Sequence, residues 1–310
     1  GGNGGGRPGS NGSNMSSDGS AADVSDLAAI GLATAGSGTS TSALASTSAS
    51  TTDDVSTKGL KAGVTVIISG GEINVDSADD AVHSNDSATI SGGTLTLSTG
   101  DDGVHADVTL TVSGGSITVT KSYEGLEALT LNIEGGVINV TASDDGLNAA
   151  GGTTSSSGWG RPGGGNASDS SGLINITGGT VTVNAGGDGI DSNGNIRMSG
   201  GTVIVYGPTD NGNGALDFDG SFTMSGGTLL AVGSSGMVQK PTGSGSVRVL
   251  SANVSINAGS TVSITDASGN VVTSFTAPKR IASVIYAAEG LDGSYNIVVD
   301  GSQAATAKAS

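Results

Sequence analysis

An all-β chain wound as a parallel, right-handed β-helix solenoid of about seven coils is the fold this sequence predicts, and three observations predict it. A Gly-Gly pair followed by alternating apolar residues returns at Gly70, Gly92, Gly114, Gly135, Gly178, Gly200 and Gly226, at intervals of 22, 22, 21, 43, 22 and 26 residues. Each unit carries three short apolar clusters in one order, and alternation with period two means strands with one buried face. The residues for a thick core are scarce: of 310, 56 are Gly, and aromatics make up 3%. A unit of this size cannot bury its apolar face alone, so its neighbours must stack on it.

Taken in chain order, residues 1–58 are low in complexity, rich in Gly, Ser, Thr and Ala, with one short helix expected at residues 25–30. Such a composition buries too little apolar surface to fold by itself. Residues 59–232 form the solenoid. One cluster of each coil follows the glycines (Ile73/Val75, Leu95/Leu97, Ile117/Val119), one precedes them (Val66/Ile68, Leu110/Val112, Leu131/Ile133), and one is a single corner residue: Val82, Val104, Leu126, Leu147, Ile190 and Leu216. Three clusters per coil mean a three-sided tube. The interval of 43 resolves as one coil plus an inserted Gly/Ser loop at residues 151–171. Residues 233–310 lose the repeat and read as a β-hairpin capping module, with strands at Thr261 to Ile264 and Val271 to Phe275 around a turn. The opposite end, at Val64 to Ile68, has no evident cap and stands ready to accept a strand from another copy.

Eleven Lys and Arg against 28 Asp and Glu leave a net charge of −17 at pH 7. That field argues against nucleic-acid and anionic-membrane partners. With no cysteine there is no disulfide, thiol nucleophile or thiolate metal site. No apolar run reaches the length that spans a bilayer, and Gly1 does not begin a signal peptide, so an exported form would be the mature one.

Beside each corner residue stands an acidic motif: Asp79 and Asp80, Asp101 and Asp102, Glu124 and Glu127, Asp144 and Asp145, Asp188 and Asp191, Asp217 and Asp219. Stacking would set these carboxylates about 4.8 Å apart, a like-charge ladder that a shared cation relieves. An ion midway between two oxygens lies about 2.4 Å from each, inside the Ca–O range and too long for magnesium. Asn148 and turn carbonyls can complete an all-oxygen shell for Ca2+. The alternative is a set of solvated corner carboxylates. His83 and His105 occupy the outward slot filled elsewhere by Glu127, Asn148 and Asp191, as surface histidines or as a transition-metal pair.

The order of Gly100-Asp101-Asp102-Gly103-Val104-His105, Ser113-Gly114-Gly115-Ser116-Ile117, Asp188-Gly189-Ile190-Asp191 and Gly214-Ala215-Leu216-Asp217 resembles the bacterial carbohydrate-binding β-helix family related in fold to pectate lyases. Gly236-Met237-Val238-Gln239 and Leu291-Asp292-Gly293-Ser294-Tyr295 extend the likeness over residues 60–300. The resemblance implies a secreted or surface-attached, adhesin-like calcium-binding solenoid with affinity for cellulose or acidic polysaccharide. Glu124 and Glu127 replace Asp, and Gly214 stands where the motif has Asp.

For sugar stacking the aromatic candidates are Tyr123, Trp159 and Tyr206, Trp159 lying on the inserted loop. The leading reading is a non-enzymatic, extracellular or cell-surface protein that holds calcium and binds polysaccharide. A self-assembling filament or matrix subunit, a homopolymer joined through the N-terminal segment and the solenoid ends, is the alternative. A polysaccharide lyase comes third, with only Lys121, Arg161 and Arg197 as bases in the repeat region.

Overall fold

The computed structural model describes residues 56–150 and 172–310 together with the strand Leu27–Ile30. Among these residues there is no helix; every regular element is a strand. The chain is a parallel β-helix closed at one end by antiparallel strands.

Three parallel ladders form the three sides. Along one corner Leu60, Val82, Val104, Leu126, Leu147, Ile190 and Leu216 pair in register from coil to coil. The second ladder runs Val66, Ala88, Leu110, Leu131, Ile174, Ile196, Phe222. The third runs Ile73, Leu95, Ile117, Ile138, Val181, Val203, Leu229. Residues from all three sides meet in one continuous core, and most of these side chains are fully buried. The long Gly-Gly interval is absorbed as the spacing implies. Leu147–Ala149 and Leu173–Ile176 both keep register with the coils on either side, so the register is the same before and after residues 151–171, which lie outside the described residues.

The glycine pairs make the bend between the second and third sides. The second glycine of each pair has φ between +80° and +94°, a backbone region that side chains with a Cβ avoid. At the first, a Cβ would strike the carbonyl oxygen of the preceding coil, as Gly92 would strike Ser69.

At the far end Thr228–Gly233 is the last parallel strand of the third side, and its open edge pairs antiparallel with Ile281–Glu289, itself paired with Val247–Ile256. The expected hairpin forms between Thr261–Thr265 and Val271–Thr276, and Ser294–Val299 and Ser302–Lys308 extend it to four strands. Leu230, Val232, Leu250, Ile264 and Tyr286 share a second core that joins this sheet to the last coil.

The N-terminal end departs from expectation twice. Residues 27–30 are a strand, not part of a helix, and that strand adds in parallel to Thr65–Ile68, covering the edge expected to be bare. The physical reason is that a helix of six residues cannot recover its nucleation cost, whereas the solenoid edge already presents unpaired backbone groups for a strand to join.

Leu126 sits at the middle of the corner ladder with none of its side chain exposed. Leu126→Ala is expected to cost about 2–5 kcal/mol through lost burial and the cavity left behind, measured by urea unfolding. A loss below about 1 kcal/mol would mean the coils can close over the gap.

Candidate metal-binding column

Each corner strand is preceded by a turn, and strand and turn together project two rows of polar side chains. The coil-to-coil hydrogen bonds from Gly59 N to Asp80 O, Ala81 N to Asp102 O, Gly103 N to Glu124 O, Gly125 N to Asp145 O and Gly146 N to Asp188 O are 2.9–3.0 Å long. They stack Lys58, Asp80, Asp102, Glu124, Asp145 and Asp188 as an inner row, ending at Gly214, whose carbonyl accepts from Gly189 N. Because side chains alternate along a strand, the residue after each buried corner residue points outward. That outer row is Lys61, His83, His105, Glu127, Asn148, Asp191 and Asp217.

The remaining predicted carboxylates fall outside the two rows. Asp79, Asp101 and Asp144 sit one residue earlier on the rim, in a stack interrupted by Tyr123 and Gly187. Asp219 is exposed beyond its strand.

The two ends of the column differ in charge. The N-terminal end carries its own cations. Lys58 Nζ lies 3.0 Å from Asp79 Oδ1 and 2.5 Å from Asp80 Oδ2. His83 Nδ1 lies 2.7 Å from Asp80 Oδ2, and His105 Nδ1 lies 3.1 Å from Asp102 Oδ2 and 2.6 Å from Glu127 Oε2. Burial works against ionising Asp80, but the bonds from His83 and Lys58 outweigh it and hold the carboxyl well below the usual range. Burial likewise opposes a charged His105, yet its bonds to Asp102 and Glu127 raise it to about 11.

These histidines are not the surface residues the sequence suggested. Their side chains are 12% and 19% exposed, and the rings stack with centroids 4.9 Å apart and planes 12° from parallel. Coil-to-coil spacing forces the contact, since they are register partners. Lys58 was not singled out from sequence either. Its signal was there, one repeat of 22 residues before Asp80.

The C-terminal end has no such partners: among the described residues no Lys, Arg or His forms an ion pair with Glu124, Asp145, Asp188, Asp191 or Asp217. Burial, then the charge of Glu127, pushes Glu124 up to about 9. Burial and the neighbouring Asp144 push Asp145 to about 7. Burial followed by Asp188 and Asp217 does the same for Asp191, also to about 7, and burial raises Asp188 to about 6 against a hydrogen bond from Gly214 N. In their midst Asn148, 6% exposed, donates from Nδ2 to Glu124 Oε2 at 2.8 Å. Its Oδ1 is buried with no hydrogen-bond partner, alone in this among the described side-chain polar atoms. A buried amide oxygen facing no donor costs about 1–3 kcal/mol, and a cation would satisfy it. The donors at this end, carboxylates and one amide, are oxygens that suit a hard ion such as Ca2+.

Three groups of donors lie within 4.8 Å of one another, all at the other end: Asp80, His83 and His105; Asp102, His105 and Glu127; Asp79, Asp80 and Asp101.

The aromatic candidates do not converge. Trp159 and Arg161 fall in residues 151–171, outside the described residues. Tyr123 is on the column rim, 49% exposed. Tyr206 is half-buried against Phe275, ring centroids 6.3 Å apart, and walls a groove of about 400 Å³ with Thr118, Asn139, Thr182 and Asn184. Lys121 is exposed at the end of its strand. A larger groove of about 510 Å³ lies over the outward residues of the second side. Its floor is a register row of Asn132, Asn175, Arg197 and Thr223, with Glu134 on the wall. Asn175 Nδ2 donates to Asn132 Oδ1 at 2.9 Å. From sequence Arg197 reads as a lyase base or a solvated strand-face cation, because nothing local in the chain reveals that three coils bring two amides beside it. None of the column carboxylates lines either groove.

A profile for carbohydrate-binding domain-containing proteins matches residues 14–103 and 103–240. No curated protein and no solved structure matches the chain.

The raised carboxyls set a pH dependence. Glu124, Asp145, Asp188 and Asp191 hold protons more tightly folded than unfolded. In chelator, stability is therefore expected to fall as pH rises from about 4 to about 9, where the unfolded chain binds fewer protons than the native one. His105, raised, adds to the loss above about 6.5. Urea midpoints across that range check it, and a midpoint that climbs from acid to alkaline pH would contradict the electrostatics described.

Proposed function

The chain belongs to the carbohydrate-binding domain-containing proteins, and from that premise we propose that it is a non-catalytic extracellular solenoid that holds Ca2+ at the carboxylate end of its column and binds an acidic polysaccharide in the Arg197 groove. The observation that carries the calcium reading is the partnerless Oδ1 of Asn148 among half-buried carboxylates that pair with no cation among the described residues. Glu124, Asp145, Asn148, Asp188 and Asp191 are the residues that would hold the ion. Coil spacing supports calcium over magnesium, since oxygens about 4.8 Å apart suit bonds of about 2.4 Å. An extracellular location fits the same chemistry, because calcium modules outside cells work with affinities of about 10⁻⁴–10⁻³ M.

The glycan reading rests on Arg197. It makes no ion pair among the described residues, and its planar fork matches a carboxylate bidentately. Asn132 and Asn175, fixed on rigid strands, offer amide groups for sugar hydroxyls. A chain of charge −17 repels a polyanion at long range, so a local cation is what a uronate would need.

Two measurements test this. Calcium is expected to raise the thermal midpoint relative to chelator, and Asn148→Ala and Asp191→Asn are each expected to weaken calcium binding at least about tenfold in calorimetry. No heat and no shift with the wild-type chain would end the calcium reading. In pull-down on a polyuronate and on cellulose, Arg197→Gln is expected to lose about 10- to 100-fold on the polyuronate alone, as for a charge-assisted bond. Loss with Tyr206→Ala and none with Arg197→Gln would move the site to the other groove, and release of unsaturated uronide products would make the protein a lyase.

A second reading, a self-assembling subunit, is favoured by the strand Leu27–Ile30, which adds to Thr65–Ile68 from far along the chain. The same edge can take that strand from another copy. Regular fibres under the electron microscope that disappear when residues 1–32 are deleted support this reading, and dispersed monomers in the intact protein sink it.

A further inference from the structure

The histidine end of the column has a donor chemistry that calcium does not need. Glu127, Asp102 and His105 bring one oxygen, one oxygen and one nitrogen within 4.8 Å of one another, and Asp80, His83 and His105 form an overlapping group on the same criterion. We propose that His105 Nδ1, Glu127 and Asp102, with a water as the fourth ligand, form a site for a divalent transition ion of the zinc class, separate from the calcium-binding end of the column.

Four observations argue for it. The donor set mixes imidazole with carboxylate, a combination that favours zinc-class ions over calcium, which takes oxygen ligands. The separations are close to what coordination requires. His105 Nδ1 lies 2.6 Å from Glu127 Oε2 and 3.1 Å from Asp102 Oδ2, while ligands around a tetrahedral ion with bonds of 2.0–2.2 Å stand about 3.3 Å apart. Opening the cluster by well under 1 Å makes room. The far nitrogens are already engaged: His105 Nε2 lies 3.0 Å from Asp107 Oδ1 and His83 Nε2 lies 2.8 Å from Asn85 Oδ1. An acceptor at Nε2 holds the proton there and turns the Nδ1 lone pair toward the cluster, the outer-shell arrangement of metal-binding histidines. The stacked rings fix both nitrogens on adjacent coils. Asp80 stays with Lys58, 2.5 Å away, which keeps the ammonium one coil removed from Asp102 and Glu127. Without metal the contacts of His105 Nδ1 with Asp102 and Glu127 are met by a proton on that nitrogen, so the ion would replace a proton and leave the backbone where it is.

The test is titration of the chelator-stripped full chain with Zn2+ in the presence of excess Ca2+, by calorimetry, and with Co2+ by visible absorption. One Zn2+ per chain is expected to bind undisturbed by calcium, and Co2+ to give the intense bands of a four-coordinate site. His105→Ala is expected to lose at least about 100-fold in affinity, and Asp107→Asn about 10- to 100-fold, the usual effect of removing an outer-shell partner. In the wild-type chain the His105 Nδ1 resonance is expected to shift with Zn2+ in nitrogen-detected NMR, a readout that does not depend on any variant folding. Zn2+ binding that excess calcium abolishes would make this part of a common oxygen-ligated ladder. Binding that persists unchanged in a folded His105→Ala chain, a His105 Nδ1 resonance that does not move, or no binding would each overturn the proposal. None of these outcomes bears on calcium binding at Asn148, which is measured with calcium alone.

Discussion

Neighbouring coils stand about 4.8 Å apart, and a side chain in this protein meets its counterpart one coil away before it meets anything else. Inside the tube this spacing is favourable. Val82, Val104, Leu126, Leu147, Ile190 and Leu216 stack without a gap, and a chain with few aromatics still makes a continuous core. At the bends the same spacing leaves no room for a Cβ, which is why the glycine pairs recur. On the outside it brings like charges together, and the corner column is where that conflict has to be resolved.

The column resolves it in two ways along its length. At the N-terminal end Lys58 and His105 are built into the rows and pair directly with Asp79, Asp80, Asp102 and Glu127. Beyond these and His83, no Lys, Arg or His among the described residues pairs with the column, and the carboxyls there hold their protons, Glu124 most of all. Asn148 marks the change. Its amide takes a place in the outer row between Glu127 and Asp191, which relieves repulsion, but one of its own acceptors is left without a donor. Low dielectric makes both the charge and the orphaned oxygen expensive, so this end gains more from an added ion than the other.

The proposed glycan groove uses a ladder on the second side instead. Outward residues of the second side are uncharged in many coils, and the row of Asn132, Asn175 and Arg197 is held by the backbone register beneath it. A surface of this kind is stiff, and stiffness lowers the ordering cost of binding an extended chain. The antiparallel strands at Ile281–Glu289 and Val247–Ile256 close the edge that would otherwise template further strands.

Most of the fold was legible because a solenoid is written as a repeat. Gly-Gly spacing, alternation and corner residues are local signals, and the in-register stack follows from them without any long-range guess; even the insertion at residues 151–171 declared itself as a break in period. The carboxylate column was legible for the same reason. Three things were decided only in three dimensions. Residues 27–30 became a strand because a distant edge offered hydrogen bonds, and no local propensity encodes that offer. The histidines became a half-buried stacked pair because their coils coincide, although each alone reads as a surface residue. Whether a given carboxylate is neutralised from within or left bare depended on which neighbours the turns aim at it, as with Lys58 beside Asp80 and, among the described residues, nothing cationic beside Asp145. Sequence determines which residues share a row, since a row is a period; charge balance and burial depend on distances across rows, which only the closed tube sets.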